Sequence, residues 1–267
     1  MSRFRLLALA AAGLFVSFMS RAQYADSVIL YEAGTGFAIN YTNPASALGE
    51  PSRVTPGAYG GPVDPFAPAF LPSQLVSIGS GGSLTLQFNT PILNDPGHPF
   101  DIDFIVFGNA GFIITNGDYS GGGITDGSLF GSDPGVGRVS VSADGANFYT
   151  LDPALAPEID GLFPTDGSGH FQIPVNPSLV SSDFAGADLA AIRSLYDGSG
   201  GGAGFSLSWA LDDSNQSVFL PSASYVRLEV ISGAPEIDGI AVVPEPAASI
   251  LLLAGAGLLL GCQRHNA

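Results

Sequence analysis

Ser83-Leu84-Thr85-Leu86-Gln87-Phe88 alternates polar and apolar side chains, which puts Leu84, Leu86 and Phe88 on one face of an extended chain. A helix would repeat its apolar face every three to four residues, whereas a period of two marks a strand with one side against a core. Arg138-Val139-Ser140-Val141-Ser142 repeats the pattern through Val139 and Val141. Further strand-like runs cover Gln74–Ile78, Phe104–Phe107, Gly137–Ser142, Phe205–Trp209, Tyr225–Val230 and Ile237–Val242. Turn signals lie between them, among them Ala143-Asp144-Gly145, Thr165-Asp166-Gly167 and Tyr196-Asp197-Gly198. One stretch, Asp183 to Tyr196, reads as a helix, because Leu189, Ile192, Leu195 and Tyr196 share a face and Asp197-Gly198 ends it. Gly198–Gly204 then reads as a floppy loop; it imitates a phosphate cradle but follows a helix instead of opening one. These signals predict an all-β body over 23–242, an antiparallel, jelly-roll-like β-sandwich with one short helix and no internal domain boundary.

Composition narrows the function. The 267 residues include 36 Gly, 20 Pro and no Lys, and only 12% are charged. Between Arg21 and Arg264, four arginines (Arg53, Arg138, Arg193, Arg227) face all 24 acidic residues, so that stretch is more acidic than the whole-chain net charge of −16. Such a surface repels phosphate backbones and argues against nucleic acid as a partner. The 18 Phe and 8 Tyr supply core material that disordered chains lack. Cys262 is the only cysteine, so a single chain forms no disulfide and the body must hold together by packing.

Both ends read as addresses. Arg3 and Arg5 precede the apolar run Leu6–Met19, and Ser20-Arg21-Ala22 puts small side chains where a signal peptidase needs them. Residues 1–22 are therefore expected to be a secretory signal helix cleaved after Ala22. At the other end, Val243-Pro244-Glu245-Pro246 precedes fifteen uncharged residues, Ala247 to Gly261, including Ile250, Leu253, Gly257 and Leu260. Fifteen residues make a helix about 22 Å long, short against a hydrocarbon core of about 30 Å. The prolines keep the preceding backbone extended, and Arg264 supplies a basic tail.

Residues 243–267 resemble the PEP-CTERM sorting signal of Gram-negative bacteria: a Pro-Glu-Pro motif, a short transmembrane helix and a basic end. The resemblance implies processing by an exosortase, a membrane-embedded cysteine protease or transpeptidase, and association with exopolysaccharide. A single Arg264 beside His265 replaces the usual arginine cluster, and a plain, uncleaved anchor is the alternative. The body resembles a group of bacterial cell-surface proteins in Leu48-Gly49-Glu50-Pro51, Val76–Gly79, Gly82–Phe88, Asp103–Asn109, Val139–Phe148 and Phe205–Ala210. Val141-Ser142-Ala143-Asp144-Gly145 is also similar to strand and turn in galactose-binding-like sandwiches.

Enzyme constellations are sparse. No Gly-x-Ser-x-Gly elbow, His-Glu-x-x-His helix or Walker loop occurs, and the body's two histidines, His98 and His170, read as solvated loop side chains. Glu158, Glu229 and Glu236 are formally eligible as a glycosidase pair, as any acidic chain would offer. Asp101, Asp103, Asn109, Asp212 and Asp213 are candidate oxygen ligands for a structural Ca²⁺; turn-making and strand capping are the alternative. Ala156-Pro157-Glu158-Ile159-Asp160-Gly161 recurs as Ala234-Pro235-Glu236-Ile237-Asp238-Gly239, read as coincidence or as two calcium-facing turns. Trp209, Tyr119 and Tyr149 are possible stacking platforms for sugars, although strand alternation would put Trp209 inward with Phe205 and Leu207. The expectation is a non-catalytic, exported surface or matrix protein that binds glycans. A purely structural coat component and a secreted glycoside hydrolase are the alternatives.

Overall fold

The computed structural model describes residues 23–131 and 136–245. The expected signal peptide, and Pro246, Ala247, Ile250, Leu253, Gly257, Leu260, Cys262 and Arg264, lie outside the described residues. In chain order the strands are β1 (Ser27–Glu32), β2 (Val54–Thr55), β3 (Gly61–Pro62), β4 (Val76–Ser77), β5 (Ser83–Leu93), β6 (Phe104–Gly108) and β7 (Gly111–Phe112). Then come β8 (Leu129–Phe130), β9 (Val136–Ser142), β10 (Tyr149–Leu151), β11 (Ala203–Phe205), β12 (Ala210–Leu211), β13 (Ser222–Ser232) and β14 (Glu236–Val242). Two sheets dominate, six-stranded in the order β1-β5-β13-β9-β10-β12 and four-stranded in the order β11-β6-β14-β4. Every paired strand is antiparallel, as the alternating sequence patterns require when one face is buried.

One apolar cluster joins the sheets. Leu84, Leu86 and Phe88 of β5, Val139 and Val141 of β9, and Val226 and Leu228 of β13 meet Phe104 and Val106 of β6, Phe205 of β11, and Ile237 and Ile240 of β14. The Phe104 and Phe205 rings stack with centroids 5.4 Å apart, a contact worth about 0.5–1.5 kcal/mol beyond its burial. The four-stranded sheet is covered on its other face too, where Ile105, Phe107 and Ala241 pack with Ile102, Phe171 and Val243. That double burial explains why all five residues of β6 are buried and why its sequence is a continuous apolar run. Val243 belongs to this cluster, so packing continues one residue past the end of β14.

The single α-helix among the described residues, α1, spans Leu189–Tyr196. The sequence reading began it at Asp183, but Ser181–Phe184 is a separate 3₁₀ turn. Asp188 is the true N-cap, its carboxylate accepting from Ala191 N at 2.8 Å. Asp197 ends the helix in the left-handed conformation, as its sequence predicted. Gly198–Gly204 is not floppy. Gly200, Gly201 and Gly202 are buried, and a side chain on Gly202 would collide with Ile105 and Phe107. No helix among the described residues is long and apolar enough to cross a membrane.

Candidate functional site

The loop from Asn94 to Asp103, between β5 and β6, builds the most chemically distinctive site. Asn94 is fixed across the body, its N–H donating to Pro221 O and its amide to Leu220 O, both at 3.0 Å. Asp95 Oδ1 accepts from Gly97 N at 2.8 Å, and Asp95 O accepts from His98 N at 3.0 Å, so the chain reverses and turns the imidazole inward. Phe100 and Asp101 both take positive φ (59°), a conformation that L residues adopt at a cost. The turn then delivers Asp103 directly behind the ring.

His98 Nδ1 lies 2.7 Å from Asp103 Oδ1, and both side chains are fully buried. Asp103 is held in turn: Oδ2 accepts from Leu207 N at 2.7 Å and Oδ1 from Asp95 N at 3.3 Å. The carboxylate therefore presents an acceptor to Nδ1, which fixes N–H there and leaves Nε2 facing outward. Nε2 has no hydrogen-bond partner among the described residues and lies 3.7 Å from Glu245 Oε1. Glu245 is brought there by the chain after β14, where Val243 N donates to Asp103 O at 2.9 Å. One ligand atom each from Asp95, His98 and Glu245 lie within 4.8 Å of one another.

Charge is concentrated at this point. Burial alone would push the His98 imidazole down, but the Asp103 hydrogen bond and charge, with Glu245 and Asp95 nearby, outweigh it and hold its pKa above the ordinary value. Desolvation, and then the carboxylate of Asp95, push Glu245 up to about 7. Asp95 is held low, chiefly by its contact with Glu245, so the two carboxyls titrate as a coupled pair.

Of the proposed calcium ligands, Asp101 and Asp103 are brought together at the Ser206 hydroxyl, which lies 3.3 and 3.5 Å from their Oδ2 atoms. Asp101 Oδ2 accepts from the Ser208 and Ser206 hydroxyls at 2.7 and 3.3 Å. Asp103 backs His98, while Asp212 Oδ1 accepts from Ser214 N and Gln216 N and closes a turn. Asp213 is exposed, and the Asn109 amide donates to Glu236 Oε2. Asp103 and Asn109 flank opposite ends of β6, about 20 Å apart at the strand rise, so one ion cannot take both. Turn-making and capping describe these side chains better. His98, read as solvated, is instead buried; His170 is exposed as expected.

The repeated hexapeptide has a shared role that sequence alone did not show. Ile159 and Ile237 both enter the main core, and Asp160 and Asp238 are both buried acceptors. Asp238 takes Ser52 N and Ser52 Oγ at 2.8 and 2.9 Å. Asp160 Oδ1 accepts from Ala110 N at 3.0 Å, its Oδ2 has no hydrogen-bond partner among the described residues, and the nearby Glu236 of the second copy adds to the charge around it. Glu236 is consequently engaged near Asp160, whereas Glu158 is exposed in its loop and Glu229 sits on β13 opposite Arg138.

A second feature is a largely apolar cleft of about 360 Å³ whose walls include Trp209, Phe163, Leu162, Val175, Pro157 and Glu158. Trp209 is half-buried between the two main apolar clusters. Phe205 and Leu207 are buried in the core as the alternation predicts and Trp209 packs against the same cluster, but a 3₁₀ turn over Leu207–Trp209, capped by the Ser206 hydroxyl accepting from Ser208 N, leaves the indole partly exposed. Tyr119 is exposed on a loop, and Tyr149 is half-buried in β10. Comparison with protein-family models and with curated proteins finds no match to this chain.

Proposed function

We propose that this chain is a non-catalytic, exported cell-surface or extracellular-matrix protein, sorted by an exosortase through Val243-Pro244-Glu245-Pro246, whose body holds a glycan in the Trp209 cleft. The observation that carries the glycan reading is the cleft itself. Trp209 lines it beside Phe163 and Glu158 in a space large enough for a sugar, and aromatic walls plus a few polar groups suit the apolar and hydroxylated sides of a pyranose. A jelly-roll description of the body is supported by strand order. Without the outlying β1 and β12, the sheets run β5-β13-β9-β10 and β4-β14-β6-β11, the two interleaved Greek keys of that fold.

Glycoside hydrolysis would need two carboxyls about 5–9.5 Å apart across the cleft. Glu158 is the carboxylate in the lining, with Glu229 and Glu236 engaged on β13 and β14. A glycan-array screen of the purified protein, with and without EDTA, tests the binding reading. Array binding that Trp209→Ala abolishes, with the circular dichroism spectrum unchanged, is the expected result. Binding by neither protein, or equally by both, overturns the cleft as a glycan site and leaves the coat-component reading. Export and sorting are tested separately by mass spectrometry of the mature termini in the native host, with Gln23 expected at the new N-terminus.

A further inference from the structure

We propose that Asp95, His98 and Glu245 form a site for one first-row divalent metal ion of the Zn²⁺ class, and that the ion fastens the chain after β14 to the β5–β6 loop. A buried imidazole whose Nδ1 is committed to a carboxylate and whose Nε2 is left unpaired is the arrangement that metal-binding histidines use, the rear carboxylate fixing tautomer and ring orientation. An unpaired buried nitrogen is costly to retain, and the atoms that Nε2 faces are carboxylate oxygens of Asp95 and Glu245.

Ligand chemistry selects the ion. One imidazole and two carboxylates suit Zn²⁺ and its neighbours, whereas Ca²⁺ takes six to eight oxygens and Mg²⁺ prefers carboxylates, phosphates and water. Two carboxylates also balance a 2+ charge. A tetrahedral ion with bonds of about 2.1 Å sets its ligand atoms about 3.4 Å apart. The His98–Glu245 pair is already near that at 3.7 Å, and since every pair in the cluster lies within 4.8 Å, none must close by more than about 1.4 Å. Asp95 and Glu245 are only partly buried, so their side chains can turn to do this without disturbing the core. Water fills the fourth position from the open side.

The position of Glu245 gives the site its consequence. It is the central residue of the Pro-Glu-Pro motif, so an ion held there clamps that motif against the body. The clamp on sorting rests on the proposed function; the binding of the ion does not.

The test uses the full chain in detergent, stripped with EDTA and titrated with Zn²⁺ by calorimetry, with Co²⁺ absorption reporting coordination number. One equivalent should bind, with Co²⁺ bands of four-coordinate intensity. Glu245→Gln and Asp95→Asn lie outside the core and should each abolish the stoichiometric binding with circular dichroism unchanged. Hydrogen exchange at the Val243 and Glu245 amides should slow on adding Zn²⁺ in the wild type and not in these variants. Absence of one-to-one binding in the wild type, or its survival in the double variant, overturns the site. A chain that binds Zn²⁺ but keeps its C-terminus in the host retains the site and refutes the sorting reading; a processed chain that does not bind does the reverse.

Discussion

His98 and Asp103 form a buried ion-pair-like contact, Nδ1 to Oδ1 at 2.7 Å, in which neither side chain is exposed to solvent. Four residues lie between them, and a turn through two left-handed residues brings them face to face. Because Asp103 also accepts from Leu207 N, the pair links the β5–β6 loop to the segment that follows β11. It is a structural contact as well as the support for the outward-facing nitrogen.

Removing either partner strands the other. Asp103→Ala leaves the imidazole and the Leu207 N–H without their acceptor, and should cost about 3–5 kcal/mol, the range for breaking a buried charged pair. His98→Ala should cost about 1–3 kcal/mol, because Asp103 keeps its backbone donors. Urea denaturation of both single variants and the double variant gives the coupling. Purely additive costs would contradict a direct interaction.

Stability should fall as pH rises from about 4 to 7. Burial pushes Asp160 and Asp238 each up to about 7, against the hydrogen bond from Ala110 in one case and those from Ser52 in the other. An unfolded Asp titrates near 3.8, so across this window the folded state holds more protons, and unfolding becomes easier as pH increases. The advantage is complete below the unfolded value and gone above the folded one. Asp238→Asn keeps the Ser52 contacts sterically and should flatten the profile; an unchanged slope in denaturant midpoints between pH 4 and 7 would contradict the assignment to Asp238.

Arg193 and Asp166 behave in the opposite sense. Burial opposes ionisation of Asp166, but the Arg193 hydrogen bonds and charge, with Ser168, hold its pKa below the ordinary value. The stabilisation it brings is present above the unfolded carboxyl range and is lost as pH falls through the folded value. The side chain of Asp166 is 2% exposed and that of Arg193 40%, so Arg193→Ala should cost about 1–2 kcal/mol, less than a fully buried pair. Thermal melts at neutral pH and near pH 3 should show the deficit shrinking in acid.

Gly202→Ala should destabilise by at least about 1–3 kcal/mol. Its φ is +84°, and an added Cβ would lie 2.6 Å from Ile105 Cγ2 and 2.9 Å from Val106 O. A Gly198→Ala control, in a glycine with φ +86° and open space around its Cβ position, carries only the backbone penalty. Equal midpoints for the two variants would show that the close approach to β6 does not matter.

The strands were legible because period-two alternation is a local signal, and Leu84, Leu86, Phe88, Val139 and Val141 all point where that period sends them. In the run Phe205–Trp209 the burial follows the alternation, but the strand ends at Phe205 because a short-range Ser206 cap turns Leu207–Trp209 into a 3₁₀ turn. Site residues were harder. Asp103 and Glu245 were each singled out for other roles, while Asp95 and His98 sit in a Gly/Pro turn that looks solvated. What buries His98 is Asp103 five residues ahead and the chain beyond β14, a contact that no local pattern announces. An imidazole closing a turn that Asp95 opens, five positions before the Asp that leads into a strand, was the available hint. The shared work of Asp160 and Asp238 was likewise invisible, although the repeated letters pointed to the right residues.

β14 lies inside its sheet, hydrogen-bonded to β6 on one side and β4 on the other, and it leads straight into the tail of the chain. Any tension applied through that tail pulls the strand along its own length. Inter-strand bonds run across that direction, so they must yield together in shear instead of peeling apart singly. A pull through Val243–Glu245 would thus load β4 and β6 together.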